Sequence, residues 1–321
     1  TRATGLFNFK AALGTAREVA QIFMGDLHGN LWKLDFSLVG TTDWTMAKLS
    51  PFKTGSGTST VPYPMFIAKD GSGNVQPITM APSIANGPIP GTKNILFGTG
   101  KYLESSDRTS TNQASFYMVY DNDSSTMDPL VGSAVRASAV SGRARLKQGT
   151  STAATASTAG LITVPAFTLG RAITDVNTEV IRSGWYFDYA TAGERQISSA
   201  TLTGDTVIFG SLIPGGASTG SCSVATGGGN QYTVNILTGG GSSVSSSVGI
   251  LGEPLVVKIV GTGTGATTQT KTDSTGQAIR TVTSQVLQQG STGLGVGRST
   301  TNSFVVGRLS WRQINNYRDL K

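Results

Sequence analysis

Gly25-Asp-Leu-His-Gly-Asn-Leu-Trp-Lys-Leu-Asp35 is the stretch that decides the fold class. Gly29 and Asn30 tolerate positive φ, and the runs on either side, residues 22–27 and 31–35, alternate apolar and polar side chains. The segment therefore reads as a tight β-hairpin, with His28 in the turn and Trp32 packing beneath it. Further runs rich in β-branched and aromatic residues follow at 31–36, 95–98, 115–120, 184–189, 206–210, 231–236, 255–260 and 304–311. Gly, Pro, Asn, Asp and Ser separate them, as between half-buried strands. Helix is expected only as a turn or two within 11–21 and 313–321, because no long stretch holds a 3.6-residue apolar period. The class is all-β.

A hairpin of this form is the inner part of a propeller blade, in which four-stranded sheets are set radially around a channel. Looser versions of the pattern stand at Gly98-Thr-Gly-Lys-Tyr-Leu103, Gly184-Trp-Tyr-Phe-Asp188 and Gly227-Gly-Gly-Asn-Gln-Tyr232. Their spacing is irregular and longer than the roughly 40 to 45 residues of a WD40 blade. The expectation is a degenerate β-propeller with inserted loops, incomplete in this chain if the first blades lie elsewhere. Residues 1–321 form one propeller region, with 240–321 either closing blades or a small separate β unit. Three Gly/Ser/Thr/Ala-rich tracts, 54–60, 148–160 and 239–248, are expected to be exposed loops. The polar stretch 261–303 is expected to hold a hairpin around Gly276.

Charge and rare residues narrow the chemistry. The chain has 25 Lys+Arg against 18 Asp+Glu, a formal charge of +7, which raises the question of a polyanionic partner. The basic residues are scattered, and the one cluster, Arg136, Arg143, Arg145 and Lys147, has no interleaved aromatics to stack on bases. It reads as a solvated loop, so no nucleic-acid partner is expected. No apolar run approaches the ~20 residues that cross a bilayer, and no membrane insertion is expected. Residues 1–14 show no secretory leader pattern. A single cysteine, Cys222, makes no intrachain disulfide. A single histidine, His28, excludes a His-rich zinc site within one chain. No catalytic or cofactor-binding residue stands out, and the chain is expected not to be an enzyme. The one metal candidate is a crude one. Asp121, Asp123 and Asp128 follow a strand in Asp121-Asn-Asp-Ser-Ser-Thr-Met-Asp128, without the glycine and terminal glutamate of an EF-hand loop.

Several segments, taken in order, resemble the C-terminal β-propeller region of the PilC/PilY-type tip proteins of bacterial type IV pili. They are Phe23-Met-Gly-Asp-Leu-His-Gly-Asn-Leu-Trp-Lys-Leu-Asp35, Gln76-Pro-Ile-Thr79 with Pro82, and Ile95-Leu-Phe-Gly-Thr-Gly-Lys-Tyr-Leu103 with Asp107. Next come Ser115-Phe-Tyr-Met-Val-Tyr-Asp121, Gly184-Trp-Tyr-Phe-Asp188 with Gly193-Glu-Arg195, Cys222 with Gly228-Gly229, and Arg308-Leu-Ser-Trp-Arg312. The resemblance runs over most of 22–314 and leaves the low-complexity loops unmatched.

The resemblance implies a protein exported through the periplasm to the cell surface, at or near the pilus tip, where it promotes pilus assembly and extension and mediates adhesion. Its implied partners are pilins or minor pilins and a host or abiotic surface. It also implies a longer protein of which this chain is the C-terminal part. Members of the family often carry an Asp-rich calcium loop just before the hairpin. Residues 14–21 have Glu18 as their only carboxylate, so that site is expected to be absent, and no Arg-Gly-Asp string occurs. Glu194-Arg195 is expected to form a hydrogen-bonded structural turn, with Trp185 and Trp311 filling core between blades. The enzymatic alternative is a quinoprotein-type propeller dehydrogenase, whose adjacent-cysteine disulfide one cysteine cannot supply. A surface-binding propeller unrelated to pili is the other alternative.

Overall fold

The structure, a computed structural model, describes residues 5–40, 44–54, 61–122, 142–170, 181–215, 227–258, 268–272, 278–296 and 300–305. The chain divides into two units, Thr1–Leu255 with Leu287–Gly297, and Val256–Val286 with Arg298–Lys321. Strands dominate both. Among the described residues, helix is limited to one turn at Met46–Leu49 and short 3-10 turns such as Ser105–Arg108.

The first sheet of the larger unit is an antiparallel meander of Leu6–Leu13, Val19–Asp26 and Asn30–Asp35, completed by Phe66–Ile67. Residues 11–21 thus belong to a hairpin, not to the helical turn expected there. Gly14 N–H donates to Glu18 O at 2.8 Å across the turn, and Arg17 sits at φ 65°. The segment has no helical apolar face to bury, whereas the neighbouring strand offers Val19–Asp26 a full ladder.

In the second sheet Ser83–Asn86, Lys93–Gly98, Ser115–Asp121 and Gly184–Asp188 run antiparallel, and Lys147–Gln148 adds a parallel edge. The third contains Thr201–Thr203, Thr206–Gly210, Asn230–Asn235 and Gly241–Ser245, extended by Gly160–Thr163 and Thr150–Ser151.

Strand alternation explains how the sheets stack. In the second sheet Ile95, Phe97, Tyr117, Val119 and Tyr186 pack with Phe23, Leu31 and Phe66 of the first. The intervening residues Leu96, Phe116, Met118, Trp185 and Phe187 pack with Val207, Phe209, Tyr232 and Val234 of the third. Phe116 and Phe209 stack nearly parallel with ring centroids 4.1 Å apart. A sheet covered on both faces needs apolar residues at successive positions, and Ser115–Asp121 is buried throughout. Trp185 fills this inter-sheet core as expected, its indole N–H donating to Ile236 O at 2.9 Å. Trp311 lies outside the described residues.

Two tracts expected to be exposed loops turn out to carry strands. Gly241–Ser245 lies inside the third sheet, between Asn230–Asn235 and Gly160–Thr163. Its small side chains hide the period-two pattern but permit close approach: a Cβ on Gly241 would collide with Thr233 O, and one on Gly160 with Ser243 Oγ. Within 148–160, Gly149 N–H donates to Tyr186 O in the second sheet, while Thr150–Ser151 already pairs in the third. This short run therefore clasps two sheets, and the stretch 152–159 stays mostly exposed. Of 54–60, Thr54 pairs with Val61 in a two-stranded ribbon and the rest lies outside the described residues.

In the smaller unit, Thr268–Thr272 and Thr300–Val305 both pair antiparallel with residues 278–284. The hairpin expected around Gly276 is consistent with the first pairing, its turn lying outside the described residues.

Candidate functional site

The hairpin at 25–35 is organised by Asp26. Its Oδ1 accepts the backbone N–H of His28 at 2.8 Å and of Asn30 at 2.9 Å. Its Oδ2 accepts Asn30 Nδ2 at 2.8 Å and Trp32 Nε1 at 2.9 Å. Gly29 takes φ +75°, and a Cβ there would stand 2.6 Å from Ala68 O. His28 sits in the turn with its N–H held by Asp26. The same turn recurs in Asp70-Gly-Ser-Gly-Asn74, where Asp70 accepts from Ser72 N, Asn74 N and Asn74 Nδ2, each at 2.9 Å. Although burial acts to raise it, these bonds from Asn74 and Ser72 hold the Asp70 carboxyl below its usual range. The shared Asp-x-x-Gly-Asn spelling was a readable sign of this second turn, which the reading of the sequence passed over.

Strings far apart in the chain converge on one corner. Gln196 N–H donates to Thr99 O at 3.1 Å, and Gly100 N–H to Pro77 O at 2.8 Å. Thr79 Oγ1 donates to Gly100 O at 2.8 Å. A Cβ on Gly98 would collide with Gln196 Oε1, and one on Gly100, at φ +124°, with the Arg195 side chain. The glycines of 98–101 are thus the seat for residues 193–196. Arg195 donates Nε to Gly193 O, Nη1 to Lys101 O and Nη2 to Ser110 O, each at 2.8 Å. Its backbone also exchanges two hydrogen bonds with Leu212. Glu194 is buried, and its Oε1 accepts from Ser211 Oγ at 2.5 Å, Asn230 Nδ2 at 2.8 Å and Tyr232 Oη at 2.8 Å. Burial first, and the nearby Glu194 carboxylate second, push the Tyr189 and Tyr232 hydroxyls well above their ordinary pKa. The turn expected at Glu194-Arg195 is present, and it joins the second sheet to the third.

A second polar cluster surrounds Arg143. Its guanidinium forms a bidentate pair with Asp188 (Nη2–Oδ1 2.6 Å, Nη1–Oδ2 3.2 Å) and donates to Ser115 Oγ at 2.6 Å and Tyr117 Oη at 3.0 Å. It also lies 4.5 Å from the centroid of the Tyr186 ring. Tyr117 in turn donates to Gln76 Oε1 at 2.5 Å, and burial pushes its hydroxyl up to about 12. A cleft of about 330 Å³ opens beside Arg143, walled by Tyr63, Ile67, Lys69, Asp70 and Gly73. The basic run is therefore not a solvated loop. Arg145 is buried and Lys147 lies in a strand, while Arg136 lies outside the described residues. What spacing along the chain could not show is that Asp188 and Tyr186 reach Arg143 from a distant strand.

Of the candidate metal ligands, Asp121 ends the strand Ser115–Asp121 and forms a buried ion pair with Lys33. Asp123, Asp128 and Cys222 lie outside the described residues.

The sheets of the larger unit pack in series, the second between the first and the third, and together with the match to a solved domain this arrangement is a β-propeller. Residues 13–157 match the family model of the PilY1 beta-propeller domain. The crystal structure of the Pseudomonas aeruginosa PilY1 C-terminal domain aligns with a TM-score of 0.53 at 19% identity, over 92% of this chain and 60% of that one. Among curated proteins, the chain is 30% identical over 217 residues to the type IV pilus biogenesis factor PilY1 homolog of Xylella fastidiosa. It is 31% identical over 215 residues to the type IV pilus biogenesis factor PilY1 of Pseudomonas aeruginosa. Together these matches support a β-propeller region of the PilY1 type in this chain. The alignments take in 66% and 60% of this chain but only 13% and 17% of those relatives. Among the described residues, no helix is long and apolar enough to cross a membrane.

Proposed function

We propose that this chain is the propeller region of a type IV pilus biogenesis factor, acting at the pilus tip in assembly, extension and surface adhesion. The observation that carries the reading is its similarity over more than 200 residues to proteins named as such factors. The architecture suits the task. Stacked sheets hold loops and strand edges in fixed positions, which is what a binding scaffold needs. Among the described residues, the outer strand Leu6–Leu13 pairs on one side only in its sheet and exposes Leu6, Phe9 and Leu13. A pilin or minor-pilin strand would add there by β-augmentation. In this reading the protein works by binding, at the cell surface and after passage through the periplasm, and it catalyses no reaction.

The test is deletion of the coding region in the source cell, followed by counts of surface pili and an attachment assay. Loss of both, restored by the intact gene, is the expected result. Normal piliation together with normal attachment would reject the assignment.

A further inference from the structure

Arg195 is 5% exposed, and among the described residues its side-chain hydrogen bonds go to backbone carbonyls alone, with Asp107 acting on it through space. Three of its five N–H groups are used in this way, which leaves two. Chain alternation explains the missing counter-ion: Glu194, next in sequence, turns to Ser211, Asn230 and Tyr232. Burial depresses the pKa of this guanidinium, and the Asp107 charge offsets that only in part.

The side chain lines a recess of about 60 Å³ shared with Lys101, Asp107 and Asn112. Among the described residues that line the recess, Asp107 is the only carboxylate, and it is already committed. Its Oδ1 meets Lys101 Nζ at 3.1 Å, and its Oδ2 accepts the N–H groups of Leu103 at 2.8 Å and Glu104 at 2.9 Å. Lys101 Nζ also meets the exposed Glu104 Oε1 at 3.1 Å, so Arg195 is the cation of the recess that forms no ion pair among the described residues, and the volume is about that of two water molecules. A carboxylate group fits that space and pairs with a guanidinium in a fork.

We propose that the Arg195–Lys101 recess is a binding site for a carboxylate, supplied either by a small free acid or by an acidic residue on a partner protein. The two sources share the chemistry, and separate arms of one experiment tell them apart. Isotope-labelled full chain is titrated with sodium acetate, and with sodium chloride at matched ionic strength, while the Arg195 Nε–H and the amides of 99–101 are followed by NMR. Saturable shifts with acetate and not with chloride are expected. Their absence, or equal shifts with both salts, would overturn the site.

Because Arg195 also anchors three carbonyls, Lys101→Gln is the variant of choice: it keeps the side chain's length and removes one cation. It should weaken acetate binding roughly tenfold, the worth of one charge-assisted hydrogen bond, with the thermal midpoint held as a folding control. An unchanged affinity in a folded Lys101→Gln protein would count against the site. A Glu-containing peptide that competes with acetate, when its Gln counterpart does not, would mark a partner protein as the source. Failure of both peptides to compete, with acetate still bound, would mark a free acid.

Discussion

Lys33 and Asp121 form an ion pair of 2.7 Å with each side chain only 1% exposed, joining Asn30–Asp35 of the first sheet to Ser115–Asp121 of the second. Removing one partner strands the other charge in the interior. Lys33→Met or Asp121→Asn alone should each cost about 3–5 kcal/mol. The double variant Lys33→Met/Asp121→Leu should recover most of that loss. Urea unfolding of the three variants checks this, and additive losses in the double variant would show that the charges are not coupled.

Gly29 and Gly71 contrast a crowded turn glycine with an open one. At Gly29 the backbone has φ +75° and two carbonyls, Ala68 O and Gln76 O, lie within 2.8 Å of a built Cβ. At Gly71 nothing lies within 4 Å. Gly29→Ala should lower stability by more than about 2 kcal/mol, whereas Gly71→Ala should stay within about 0.5 kcal/mol of the parent. Equal thermal midpoints for the two variants would contradict the turn geometry.

Tyr117 sets an alkaline limit. Its hydroxyl titrates near 10 in the unfolded chain and at about 12 in the fold, mainly because it is buried. The folded state therefore holds this proton more tightly. The resulting stability is complete below about pH 10 and is lost as pH rises through about 12, an amount of about 2–3 kcal/mol. Tyr117→Phe should flatten the fall in stability between those limits without abolishing it, because Tyr189 and Tyr232 shift in the same direction. Chemical denaturation across that range gives the slopes; parallel slopes for parent and variant would exclude Tyr117 as a contributor.

The turn between the first two strands is short, closed by Gly14 N–H to Glu18 O, and Asp121 is neutralised by Lys33. Adding a chelator should therefore leave the melting midpoint of the chain within about a degree, since a stabilising metal would raise it with concentration. A calcium-dependent rise would point to Asp123 and Asp128 as the residues to mutate next.

Much of this architecture could be read in the sequence because Ser115–Asp121, Gly184–Asp188 and the 25–35 hairpin carry strong local signals: continuous apolar runs, and a Gly-Asn turn. The strand Gly241–Ser245 could not be read, because its burial depends on Thr233 and Ser243 approaching residues too small to show a pattern. The corner around Arg195 was half legible. The glycines at 98, 100 and 193 stood out as strings, but only the fold brings them together around one guanidinium. Arg143 was misread for the opposite reason. A charge in a basic run looks solvated until Asp188 arrives from another strand.

The second sheet is assembled from pieces that the ribosome delivers at very different times. Ser115–Asp121 obtains its neighbour on one side from Lys93–Gly98, but on the other side only when the chain returns at Gly184–Asp188. Until then an apolar strand presents an open edge, the condition that favours intermolecular pairing and slow folding at high contact order. Fragments that stop before Gly184 should accordingly be prone to aggregation. A cell that exports such a chain unfolded must shield that edge until the sheet is closed.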